Sequence, residues 1–151
     1  MCFSLYAGTT HPIPRKEWNR KEWNIESPDI SVRSVQGNEE AIKVHFSKPE
    51  VQIIGSTSNC GCDFPSAMYQ GEGWPEIEYA EKDEEQQSRE QFNREGLVHL
   101  LSTVDEDFLE LYGVWAGNYP ESPAAHENII LSAMLDPRFC FKERGFSRVQ
   151  L

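Results

Sequence analysis

Val51-Gln52-Ile53-Ile54-Gly55-Ser56-Thr57-Ser58-Asn59-Cys60-Gly61-Cys62 holds, in one run, the clearest element of this chain and its most unusual chemistry. Val51 and Ile53 alternate with Gln52, and the run ends at Gly55, which reads as a strand over Val51 to Ile54 followed by a polar loop. That loop closes on two thiols one residue apart. A CxC pair can hold a soft metal, form a strained disulfide, or supply a nucleophile together with a thiol that resolves it, and ordinary packing calls for none of these.

Working outward from this strand, Cys2 to Ala7 reads as a first short strand, stopped by the turn Gly8 to Pro14 with its two prolines. Ile30 and Val32 alternate with Ser31 and Arg33. Ile42, Val44 and Phe46 alternate with Lys43, His45 and Ser47, so 41–46 is expected to pair with 50–54 as a hairpin across Ser47-Lys48-Pro49-Glu50. The same alternation turns His45 away from the core. A helix is expected from Asp83, whose carboxylate caps the start while Gln86 answers three residues later, and Leu97, Leu100, Leu101 and Val104 form its apolar stripe with Phe92 on the same side. Phe108 to Trp115 reads as a buried strand. Ile129 to Leu135 suits strand or helix equally, and Phe139 to Leu151 reads as a terminal strand or hairpin. The expected fold is α+β, a mainly antiparallel sheet packed against one long amphipathic helix, in a single domain over residues 1–151.

Composition agrees with that size. Hydrophobic residues make up 38% of the chain, with eight Phe, five Tyr and four Trp, enough to fill one core. The formal charge of −11 argues against nucleic acid as a partner, because a phosphate backbone demands clustered Lys and Arg. Between Glu72 and Glu110 carboxylates far outnumber the cations Lys82, Arg89 and Arg94, which reads as a solvated helix face and also as a surface that attracts a basic protein partner. The start, Met1 to Thr9, has neither a positive leader nor an apolar run of membrane length, so no membrane association and a cytoplasmic location are expected. Arg15-Lys16-Glu17-Trp18-Asn19 is repeated at once as Arg20-Lys21-Glu22-Trp23-Asn24. A period of five fits neither helix nor strand, and the repeat reads as a duplication in a surface loop.

In a reducing compartment the four cysteines read better as metal ligands or free thiols than as staples. The candidate metal set is Cys60 and Cys62 with Cys2 and Cys140 completing a tetrahedral donor set, and zinc is the expected ion for so many sulfurs. Cys2 and Cys140 also lie in apolar stretches where a small hydrophobe suffices. Asp63, Glu72 and Trp74 follow the thiols in a long Gly- and Pro-rich loop and are candidates to line the site. Ligation is favoured over catalysis, because His11, His45, His99 and His126 are all remote in sequence and no base can be assigned to a nucleophilic cysteine.

The start Met1-Cys2 is similar to that of N-terminal-nucleophile hydrolases such as class II glutamine amidotransferases, and to proteins that trap abasic DNA through an N-terminal cysteine. The resemblance covers these two residues. It implies that Cys2, once Met1 is removed, is a nucleophile with its own α-amine as base, although Phe3 stands where those families commonly place Gly. A role of another class is an acidic interaction module of the inhibitor or immunity type, with no chemistry of its own.

Overall fold

The computed structural model describes residues 2–18, 30–75 and 82–151. Eight strands are present in this part of the chain: β1 (Phe3–Thr9), β2 (Ser31–Ser34), β3 (Glu50–Gly55), β4 (Ser66–Ala67), β5 (Phe108–Trp115), β6 (Ala125–Ile130), β7 (Phe141–Lys142) and β8 (Gly145–Gln150). One α-helix, α1 (Glu84–Ser102), and 3-10 helices at Gly37–His45 and Leu131–Leu135 complete the described elements. Six strands form one sheet in the order β2-β3-β1-β5-β8-β6, antiparallel except for the last pair. β4 and β7 form a small parallel pair beside it. The fold is α+β.

β1 lies deep in the sheet, between β3 and β5, and all seven of its residues are buried. Such a strand packs on both faces, and its side chains sort by pleat. Phe3, Leu5 and Ala7 join Ile54, Leu109, Leu111 and Val149 in a core on the α1 side, while Tyr6 joins Val51, Ile53, Tyr112, Val114 and Phe146 on the other. α1 closes the first core with Leu97 and Leu101, and Leu100 and Val104 pack partly against it. Asp83 caps the helix as expected, its Oδ1 accepting from the Gln86 N–H at 2.8 Å.

The polar character of the other half of α1 departs from the expected stripe. Glu90, Asn93 and Arg94 are buried, and Phe92 is only half-buried. Arg94 donates to the carbonyls of Pro137 (2.9 Å) and Phe139 (3.2 Å), and Lys82 pairs with Glu90 at 2.6 Å. The helix thus faces apolar strands near its C-terminus and loop backbone near its N-terminus, and each half carries side chains suited to its neighbour.

The hairpin expected from 41–46 and 50–54 does not form. Residues Gly37–His45 are 3-10 helix, and β3 pairs instead with β1 and β2. Glu39 starts the turn by accepting from the Gln36 N–H at 2.9 Å while Arg33 clasps its carboxylate at 2.7 and 2.8 Å. With three residues per turn, Ile42 faces the second core and Val44 is 79% exposed. The alternation of Ile42, Val44 and Phe46 was a coincidence of composition. His45 is half-buried, with Nε2 3.2 Å from the Tyr119 carbonyl, and does not point freely outward. The ambiguous run Ile129 to Leu135 resolves into both alternatives, the end of β6 and then a 3-10 helix.

A candidate trithiol metal centre

β3 ends at Gly55, and the chain turns at once. Ser56 donates from its backbone N–H (2.6 Å) and its Oγ (2.5 Å) to the Cys60 carbonyl, and the Asn59 N–H closes back on the Ser56 carbonyl at 2.8 Å. Asn59 takes the left-handed conformation (φ 64°) that this tight turn requires and that Asn tolerates better than most residues. The next residue fixes the turn in the molecule. Gly61 donates its N–H to the Phe3 carbonyl at 2.8 Å, and a Cβ at this position would meet that oxygen at 2.7 Å and the Phe3 ring at 2.8 Å. Only glycine permits this approach, so Gly61 brings the CxC turn against the start of β1, where Cys2 is held by its own carbonyl accepting from Ala116 N–H at 2.8 Å.

The result is a cluster of three sulfurs. The Sγ atoms of Cys2, Cys60 and Cys62 all lie within 4.8 Å of one another, Cys2 and Cys62 exposed and Cys60 half-buried. All four cysteines are free thiols. Cys62 N–H donates to Cys60 Sγ at 3.4 Å, and Ser58 Oγ lies 3.4 Å from the same sulfur. Burial works against a charge on Cys60, yet hydrogen bonds from the Cys62 thiol, Ser58, the Cys62 N–H and Cys2 outweigh it and hold this thiol below its ordinary value. Burial and the adjoining Cys60 push Cys62 up to about 12. The shifts of Cys60 and Cys62 are opposed, as expected for two like charges in contact, where ionisation of one thiol works against ionisation of the other.

α1 supports the turn from the opposite side. Asn93, fully buried, accepts from the Thr57 N–H at 3.0 Å through Oδ1, while its Nδ2 donates to Thr57 Oγ1 (3.1 Å) and to the Arg89 carbonyl (2.9 Å). Thr57 Oγ1 donates in turn to Asp63 Oδ2 at 2.8 Å, and the Thr57 carbonyl accepts from Trp18 Nε1 at 3.0 Å. Asn93 and Thr57 escaped the sequence reading. The available signal was an asparagine four residues before Leu97, on the stripe expected to be apolar.

The other candidates disperse. Cys140 is not among the three clustered sulfurs; it sits half-buried between Phe139 and Phe141, whose rings meet edge-on at 5.1 Å, and burial raises its pKa. Asp63 stands beside the turn through Thr57, but Trp74 donates to the Glu143 carbonyl at 2.8 Å and packs on Tyr69, and Glu72 is exposed. None of the four histidines joins the cluster, and among the described residues no further ligand does. Trp23 and most of the five-residue repeat lie outside the described residues, as does Met1.

A cavity of about 240 Å³ opens beside Cys62 between Asp63 and the first turns of α1. A larger hollow of about 370 Å³ lies elsewhere, between Phe108, Asn128, Ile130 and Arg148, and contains no thiol. No described helix is long and apolar enough to cross a membrane. Fold and site together define an α+β domain with a solvent-facing centre of three cysteines that can hold a metal ion. No family model, no curated protein and no solved structure matches the chain, so its chemistry is read from its own residues.

Proposed function

We propose that this domain binds a thiophilic metal ion, zinc in the first instance, through Cys2, Cys60 and Cys62. The observation that carries the reading is the convergence of three sulfurs from two distant segments within 4.8 Å. On a tetrahedral zinc ion with bonds of about 2.3 Å, ligand sulfurs stand about 3.8 Å apart, so the trio closes on an ion by movements of about 1 Å. An all-sulfur donor set suits zinc and other soft ions, whereas calcium and magnesium demand oxygen. A cation also resolves the electrostatic conflict of the cluster, since it allows all three thiolates to coexist. Among the described residues no fourth ligand stands with these three, which would leave the fourth position to water or an external ligand. Ligation has better support than nucleophilic catalysis because no histidine stands at these thiols to serve as base.

The test is native mass spectrometry of the full chain, purified under reducing conditions and titrated with zinc, with cadmium and copper(I) as further probes. One ion per chain, lost in Cys60→Ser and Cys62→Ser and retained in Cys140→Ser, is the expected result. A wild-type chain that takes up none of the three ions would overturn the reading.

A further inference from the structure

We propose that the trithiol centre is a redox gate, in which oxidation joins Cys2 to the CxC turn as a disulfide and releases the metal. The proposal rests on the metal reading and adds its regulation. Three features of the site carry it. The sulfurs already lie within 4.8 Å of one another as free thiols, so a bond of about 2 Å needs side-chain rotation and little backbone movement. Cys2 and Cys62 are exposed, so an oxidant in solvent reaches the cluster directly. The CxC turn itself is pinned: Gly61 is locked against Phe3, and the Cys60 carbonyl is held by two donors of Ser56. A disulfide within the turn would close a very small ring on a backbone that has no room to adjust. Cys2 precedes β1, and its link to the turn spans two segments already joined by the Gly61 to Phe3 hydrogen bond.

With hydrogen peroxide as the oxidant, one cysteine sulfur attacks a peroxide oxygen. The O–O bond breaks, a sulfenic acid forms, and the departing hydroxide leaves as water after taking a proton. The second sulfur then displaces the sulfenic hydroxyl, the S–S bond forms, and a second water leaves with another proton from solvent. Two thiolates lose two electrons, the peroxide gains both, and the ion, left with a single sulfur ligand, departs as a free divalent cation.

The experiment uses the full zinc-loaded chain and equimolar hydrogen peroxide. A chromogenic chelator reads zinc release, peptide mapping under non-reducing conditions reads the bond, and dithiothreitol then tests reversal. The expected result is one zinc released per disulfide, the bond joining Cys2 to Cys60 or Cys62, with full zinc rebinding after reduction and the same behaviour in Cys140→Ser. Failure to load zinc before any oxidant is added overturns zinc as the ion of this centre, and the gate with it. Zinc that stays bound after peroxide is consumed overturns the gate alone, as does release accompanied by a Cys60–Cys62 bond, an intermolecular disulfide, or no disulfide.

Discussion

Gly61 occupies the point where the local turn becomes a tertiary site. Its N–H meets the Phe3 carbonyl at 2.8 Å, and the space a methyl group would need is taken by that oxygen and by a ring that is 1% exposed. The carbonyl belongs to a residue paired with Trp115 of β5, which restrains it from the other side. Gly61→Ala is therefore expected to cost about 1–3 kcal/mol of stability through overpacking, and to weaken zinc binding further by moving the turn away from Cys2. Denaturant unfolding and zinc titration of the same variant check the two effects. A wild-type midpoint and wild-type affinity would show that the turn is not held as described. The sequence disclosed this residue only as the centre of a CxC pair; its role depends on Phe3, far away in the chain.

At the scale of elements, the 3-10 helix Gly37–His45 and the expected strand 41–46 assign opposite fates to Ile42 and Val44. In a strand both face one side. In the helix Ile42 is fully buried and Val44 is 79% exposed. Ile42→Ala is accordingly expected to lose about 2–5 kcal/mol, and Val44→Lys to stay within about 0.5 kcal/mol of wild type. Thermal or denaturant unfolding distinguishes them, and comparable losses at both positions would restore the strand. The elements that the sequence did foretell, β1, β2, β3, β5, β8 and α1, are those in which apolar content or period agrees with break residues or a cap. Residues 41–46 carried a period-two pattern without that agreement, and the chain instead enters a 3-10 helix whose first turn carries Glu39, paired with Arg33 at 2.7 Å.

Across the whole molecule, Glu106 ties the end of β1 to the approach of β3 and the start of β5. Its Oε1 accepts from the Thr10 N–H at 2.8 Å and from Lys48 Nζ at 3.0 Å, and Lys48 also lies 3.9 Å over the Phe108 ring. Burial acts to raise the pKa of this carboxyl, but the Thr10 N–H and side chain, Lys48 and the His11 N–H prevail and lower it from 4.5 to about 2. Because the folded pKa is depressed, the unfolded chain binds the proton more tightly, and stability rises with pH through this interval. The contribution is complete above pH 4.5 and is lost as the pH falls through about 2. Glu106→Gln is expected to be less stable than wild type at neutral pH and to show a shallower fall in stability on acidification over that window, read from denaturant midpoints at a series of pH values. Parallel curves for the two proteins would remove Glu106 from the acid sensitivity of the fold.

The sequence by itself determined what depends on neighbours in the chain. Alternation marked β2 and β3, apolar content marked β5, Asp83 set the start of α1, and a polar loop ending in two thiols marked the place of the site. Tertiary structure alone decided which distant groups meet there. It brought Cys2 to Cys60 and Cys62 beside the Gly61 to Phe3 backbone hydrogen bond, left Cys140 outside the cluster, and buried Asn93 as the support of Thr57. The physical reason is one of range. Period, caps and turns act over a few residues and leave their pattern in the sequence, whereas a ligand set assembled across a sheet depends on strand order and register, which no local pattern records.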